Sequence, residues 1–215
     1  GLDQKRLDNI KIKAGIFTNL SHDHLDYHKN MQEYLKSKLC LFEKLTKKKG
    51  NIITDALIPQ KKQLKNLSIK KNIFLSLIFN KEKGIDLISH KFLNEKQILQ
   101  ILFQNKRYEF KLGLIGKIQI KNVLMAILAA KKIGLEFKKI IDVIDKIQPV
   151  EGRLENIGKI KNNSKVILDY AHSPAALELA LLNIKEQFPK NKICLVFGCG
   201  GERDIKKRLI MGKIA

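Results

Sequence analysis

Lys165-Val166-Ile167-Leu168-Asp169 is followed by Pro174 to Phe188 at helical spacing, and then by Ile193-Cys194-Leu195-Val196-Phe197. This stretch decides the fold class. Short apolar runs bounded by turn residues read as buried strands. The segment between them is long enough for a helix, and Pro174 suits its first turn. Strand, helix and strand in succession argue an α/β fold with a mostly parallel sheet. Toward the N-terminus, Pro149-Val150-Glu151-Gly152 marks a boundary, which divides the chain into residues 1–150 and 151–215. Before that boundary, Ile120 to Ile133 and Phe137 to Ile147 read as apolar helices, the second ending ahead of Pro149. Residues 85 to 112 suggest small strands around one short helix, and Ile73 to Phe79 and Asn51 to Asp55 are strands. Met31 to Leu45 carries apolar residues at helical spacing, and Ala14 to Leu20 is a strand ending in a polar loop.

The 215 residues are 44% hydrophobic, enough for a sizeable core. No stretch reaches the roughly 20 apolar residues that span a bilayer, and no signal-peptide pattern opens the chain. The chain starts at Gly1-Leu2-Asp3 and ends at Met211-Gly212-Lys213-Ile214-Ala215 within an expected helix, so it reads as a segment cut at both ends. Its three cysteines form no CxxC pair and read as reduced thiols of a cytoplasmic protein. The net charge of +21 raises the possibility of a basic nucleic-acid-binding module. Against it, only five of the 42 basic residues are arginine, and the lysines run the whole length. Surfaces that read bases and clamp phosphates favour arginine. We therefore expect no nucleic-acid partner and no membrane insertion.

The densest polar segment is Thr18-Asn19-Leu20-Ser21-His22-Asp23-His24-Leu25-Asp26-Tyr27-His28, which holds three of the five histidines. His24 and His28 are four apart and suit a divalent metal on a helix face. The same residues equally suit a polar loop after a strand, and spacing alone leaves both open. Two glycine-rich strings are excluded as familiar phosphate loops. Gly113-Leu114-Ile115-Gly116-Lys117 is not GxxxxGK[ST], and Gly198-Cys199-Gly200-Gly201 fails GxGxxG because position 203 is Arg. Asp169 sits at a strand end, where open α/β sheets bind ligands.

The string Thr18-Asn19-Leu20-Ser21, then Asp23-His24-Leu25-Asp26-Tyr27-His28, with Met31, Tyr34 and Lys38 beyond, resembles the central domain of the Mur ligases. The likeness is closest to the members that add the third amino acid of the peptide. It extends from Gly1-Leu2-Asp3-Gln4-Lys5-Arg6 through Glu151-Gly152-Arg153-Leu154-Glu155 and Asp169-Tyr170-Ala171-His172-Ser173-Pro174 to Gly198-Cys199-Gly200-Gly201-Glu202-Arg203-Asp204. Several long motifs in one order are more specific than any one of them.

The resemblance implies that residues 1–150 are the C-terminal part of a central ATPase domain. It implies that residues 151–215 begin a Rossmann-like C-terminal domain. The phosphate-binding loop, the N-terminal domain and the C-terminal end would then lie outside the sequence. The implied activity is an ATP-dependent, Mg²⁺-requiring ligase of peptidoglycan synthesis. It would join an amino acid, meso-diaminopimelate or lysine, to UDP-N-acetylmuramoyl-L-alanyl-D-glutamate, acting as a monomer. The Gly198–Asp204 loop looks like that of diaminopimelate-adding members. Folylpolyglutamate synthetases share part of the Asp169–Pro174 string and are the nearest alternative.

Residue by residue, the resemblance implies that Gln4, Arg6 and Ser21 contact the nucleotide-sugar dipeptide. His24 would ligate Mg²⁺, and Lys38 would be the lysine that becomes N-carbamylated. The chemistry is coherent, since an ammonium repels Mg²⁺ whereas a carbamate offers it anionic oxygen. Asn122 would lie near adenine, although Ile118 and Gln119 depart from the family's Gly-x-Phe-Asn-x-x-Asn pattern. Arg153 would reach the ATP phosphates or ribose, with Asp169, Tyr170 and His172 also at the nucleotide. Arg203 would grip the carboxylate of the incoming amino acid, for which a forked guanidinium is well shaped.

Overall fold

Thr46–Asp55 (β2) runs parallel to Ile12–Phe17 (β1) on one side and to Phe74–Ile78 (β3) on the other, in the computed structural model. The structure describes residues 2, 4–21, 27–200 and 206–215. The last six residues of β2 are all buried, as expected of a strand covered on both faces. The register places Gly15 beside Ile52 and Ile53 beside Ser76. Thr54 is also buried, and its hydroxyl donates to the carbonyl of Phe17 at 2.8 Å.

Three further strands complete a six-stranded sheet in chain order: Gly84–Leu93 (β4), Lys96–Phe103 (β5) and Lys106–Leu112 (β6). The β3–β4 pairing is parallel but covers only Leu77–Gly84 and Ile78–Ile85. A Cβ at Gly84 would collide with the carbonyl oxygen of Leu77, so this approach requires glycine. The short helix expected within residues 85 to 112 does not form. β5 buries Gln97, Leu99, Ile101 and Phe103, alternate residues with the period of a strand. Gln104 and Asn105, at φ 50° and 60°, make the two-residue turn that a tight hairpin requires.

Met31–Cys40 (α1) is capped by Asn30, whose side chain accepts the amide of Glu33 at 2.9 Å. One π-helical turn, Leu41–Leu45, extends it and buries Phe42 completely. Phe42 joins Phe17, Ile52, Leu64, Leu67 and Ile73 in one core cluster. Leu64 and Leu67 come from Lys61–Lys71 (α2), which ends at Asn72 in the left-handed conformation. Ile118–Ile133 (α3) and Phe137–Ile141 (α4) follow.

The C-terminal part contains a two-stranded antiparallel sheet, Glu155–Lys159 (β7) and Lys165–Leu168 (β8), and two helices, Pro174–Gln187 (α5) and Lys206–Ile214 (α6). Ser173 caps α5 by accepting the amide of Ala176, and Pro174 occupies its first turn. The expected strand at residues 193–197 forms no ladder among the described residues, and Val196 is 92% exposed. A strand needs a neighbour for its backbone groups, and this segment has none there.

Two compact units result. The first comprises Gly1–His90, Leu99–Phe110 and Ile120–Ile144; the second comprises Lys91–Ile98, Lys111–Gln119 and Asp145–Ala215. Within the second, Lys165 donates to Glu95 at 2.9 Å. That hydrogen bond is the main reason the Glu95 carboxyl is held below its ordinary value.

Candidate functional site

In the first unit the polar residues gather where parallel strands end, the usual place for ligands in open α/β sheets. Beyond β1, the Thr18 hydroxyl lies 3.4 Å from the Asn19 side-chain oxygen. Lys38 sits in the last turn of α1, half-buried, and its Nζ donates to the Asn19 carbonyl at 2.9 Å. Nζ also lies 4.8 Å from the ring centre of Tyr34 and 5.8 Å from that of Phe17. Tyr34 and Lys38 share a helix face at i and i+4. Tyr34 stacks on His28 at 5.0 Å, and Tyr27 meets His28 edge-on at 4.9 Å. Lys38 is therefore held in place by a carbonyl and aromatic faces. A carbamate on Nζ would keep one N–H, which leaves a donor for the Asn19 carbonyl.

Gln4, Arg6 and Ser21 are exposed. His24 and Arg203 lie outside the described residues. Among the described residues no group of three His, Cys, Asp or Glu side chains could hold a metal. Lys38 as a plain amine adds no oxygen donor; as a carbamate it adds two.

One pair of residues was missed by sequence reasoning. Asp55, at the end of β2, is 1% exposed and accepts Lys121 Nζ at 2.7 Å. Its other oxygen accepts the amide of Leu57 at 2.8 Å. Lys121 also lies 5.8 Å from the ring centre of Phe79, just beyond β3. Asn122, the next residue on α3, is exposed. The available signal was a carboxylate closing the buried run Asn51–Asp55, since buried acids need partners.

In the second unit the structure brings Arg153, Asp169, Tyr170 and His172 together. A cleft of about 260 Å³ is lined by Glu151, Gly152, Leu168, Asp169 and Tyr170. The Arg153 guanidinium carbon lies 5.6 Å from the ring centre of Tyr170. Gln119 donates to the carbonyl of Arg153 at 3.3 Å, and the Tyr170 amide donates to the Gly152 carbonyl at 2.8 Å. Asp169 accepts the amide of Leu154 at 2.9 Å, and Glu155 accepts that of Gly152 at 2.8 Å. Both turn residues have positive φ, 65° at Gly152 and 49° at Leu154. The His172 ring meets Tyr170 edge-on at 5.4 Å, and its Nδ1 lies 3.1 Å from the Tyr170 carbonyl. A carbonyl only accepts, so that contact puts the proton on Nδ1 and leaves Nε2 as an acceptor in the neutral ring. An aromatic face beside a guanidinium and an imidazole suits a ligand that joins a planar or sugar part to anionic phosphate.

In the same unit the loop before α3 is seated by buried side-chain amides. Gln187 accepts the Gly116 amide at 2.8 Å, and Asn183 accepts that of Ile118 at 2.9 Å. Gln97 donates to the carbonyls of Leu114 and Gly116. Gly116 has φ 90°, a conformation that favours glycine, and a Cβ there would lie 2.6 Å from Leu154 Cδ1, so that side chain would have to shift.

Residues 1–130 match the Mur ligase middle domain, and residues 152–215 match the Mur ligase, glutamate ligase domain. The UDP-N-acetylmuramoyl-L-alanyl-D-glutamate–2,6-diaminopimelate ligase of Rickettsia bellii (strain RML369-C) is 37% identical over the whole chain. The ligase of the same name from Agrobacterium fabrum (strain C58 / ATCC 33970) is 33% identical over the whole chain. The chain spans 44% of the length of each of these relatives. A solved structure of a UDP-N-acetylmuramoyl-L-alanyl-D-glutamate–2,6-diaminopimelate ligase superposes with a TM-score of 0.74 at 25% identity, covering 100% of this chain and 44% of that one. An FPGS–AMPPCP–folate complex shares the fold, with a TM-score of 0.69 at 18% identity over 86% of this chain and 45% of that one.

Proposed function

The chain belongs to the Mur ligase family, and from that premise we propose that it is part of an ATP-dependent carboxylate–amine ligase. Its acceptor is UDP-N-acetylmuramoyl-L-alanyl-D-glutamate and its amine is meso-diaminopimelate, which makes it an enzyme of peptidoglycan synthesis. The observation that carries this reading is likeness along the whole chain to ligases of that name, 37% and 33% identical in the two relatives above. We place the domain boundary at 150/151 and the working enzyme in the cytoplasm as a monomer.

The reaction transfers the γ-phosphoryl group of ATP to the D-glutamate γ-carboxylate, giving an acyl phosphate and ADP. The amine of the incoming amino acid attacks the acyl carbon and loses a proton. The tetrahedral intermediate then collapses to the amide and inorganic phosphate. Oriented cations lower the barrier by meeting charge as it develops. We assign Asn122 to the adenine, and Arg153, Asp169, Tyr170 and His172 to the rest of the nucleotide. Gln4, Arg6 and Ser21 bind the dipeptide substrate, and Arg203 binds the carboxylate of the incoming amino acid. His24 and carbamylated Lys38 would hold Mg²⁺, which when bound supplies Lewis-acid stabilisation of the phosphoryl oxygens.

The test is isotope transfer in the full-length enzyme. With ¹⁸O in the D-glutamate γ-carboxylate, one labelled oxygen should appear in the released phosphate. Phosphate without label would rule out the acyl phosphate.

A further inference from the structure

Asp55 has no part in the reading above, yet it is a carboxylate with 1% of its surface exposed at the C-terminal end of a central parallel strand. Burying such a group demands compensation, and Asp55 receives it from two donors. The Leu57 amide meets one oxygen at 2.8 Å, and Lys121 Nζ meets the other at 2.7 Å. Lys121 is the exposed partner, its side chain 42% accessible, so the pair reaches the surface through the lysine. Phe79 lies on the same lysine, 5.8 Å from Nζ, and itself adopts φ 56°. A bulky residue at positive φ is a local strain, and such strain concentrates at functional sites. The ends of β2 and β3 are thus joined through one side chain near the start of α3.

We propose that the Asp55–Lys121 ion pair is a positioning device for Asn122, fixing the rotation of the start of α3 so that the Asn122 amide faces the nucleotide. Consecutive residues on an α-helix point about 100° apart, so anchoring Lys121 sets the direction of Asn122. The anchor is the rigid end of a buried strand. This proposal rests on the assignment of Asn122 to the nucleotide.

The experiment is steady-state kinetics of the full-length ligase with ATP varied. Lys121→Ala should raise the KM for ATP about tenfold while kcat stays within about threefold, the pattern of lost ground-state positioning. Lys121→Arg reaches the same carboxylate and should return KM to within about threefold of the wild type. Asn122→Ala should itself raise KM, and adding Lys121→Ala to it should raise KM no further, because two residues acting through one contact are not additive. Asp55→Asn keeps the acceptor for Leu57 and removes the charge; it should reproduce the KM effect and covers a Lys121→Ala protein that does not fold. Multiplicative effects in the double variant would overturn the proposal, as would equal losses in Lys121→Ala and Lys121→Arg. A raised KM in Asn122→Ala beside an unchanged KM in Lys121→Ala removes the positioning role alone. An unchanged KM in Asn122→Ala removes the nucleotide assignment and the proposal together.

Discussion

The Asp169 carboxylate accepts the backbone amide of Leu154 at 2.9 Å, and Leu154 is a buried residue at φ 49°. The same carboxylate that closes β8 therefore holds the turn that presents Arg153. Left-handed backbone is costly for leucine and persists only where its surroundings impose it. Asp169 supplies the hydrogen bond, and Leu154 packs against Ile115 and Ala180.

Asp169→Ala should leave the Leu154 amide without its acceptor, at a cost of about 1–3 kcal/mol. Asp169→Asn offers an amide oxygen in the same place and should retain most of that stability. Hydrogen exchange at Leu154 reads the difference, with faster exchange in the alanine variant and near-native protection in the asparagine variant. Equal protection in both would show that packing alone holds the turn.

Gln187→Leu keeps the volume of a side chain that is 5% exposed but removes the acceptor of the Gly116 amide and the donor to Asn94. An unsatisfied buried amide should lower stability by about 1–3 kcal/mol. A thermal or urea transition unchanged within error would mean that water replaces the side chain.

Much of this was legible in the sequence, for identifiable reasons. The run at Asn51–Asp55 is buried continuously, as a parallel strand covered on both faces requires, and the apolar run Ile73–Phe79 buries Ile73, Ser76, Leu77 and Ile78 while Phe74 is exposed. The strand–turn–helix from Lys165 to Phe188 carried its own cap, Ser173, and its own Pro174. Helix α2 was not signalled, because among its eleven residues only Leu64, Leu67 and Ser68 are buried and its lysines mask the period. The segment at 193–197 has strand composition but no partner strand among the described residues, and composition cannot supply one. The clustering of Arg153, Asp169, Tyr170 and His172 follows from two motifs quoted in the sequence. The carboxylate closing the run Asn51–Asp55 signalled that a partner was needed, but Lys121 lies 66 residues away and no local pattern pointed to it.

Lys38→Ala should abolish turnover of the full-length enzyme, and added bicarbonate should not restore it. In the wild type, ¹³C-bicarbonate should give a carbamate carbon signal that is absent from Lys38→Ala. Full activity in the alanine variant would remove Lys38 from the chemistry.

Arg203→Lys keeps the charge and loses the two-pronged donor geometry. The KM for diaminopimelate should rise with the KM for ATP nearly unchanged, and kcat/KM for the amino acid should fall by about one to two decades. A change of only a few-fold would fit an exposed ion pair, worth about 0–1 kcal/mol.

The measurement that bears most directly on the account is mass analysis of the product. The full-length protein would be given ATP, Mg²⁺ and UDP-N-acetylmuramoyl-L-alanyl-D-glutamate with meso-diaminopimelate, L-lysine or L-glutamate, and in parallel a folate with L-glutamate. The account predicts an ATP-dependent nucleotide-linked tripeptide with diaminopimelate, one phosphate released per amide formed, and no elongation of folate. Elongated folate, or no tripeptide with any of the amino acids, would contradict it.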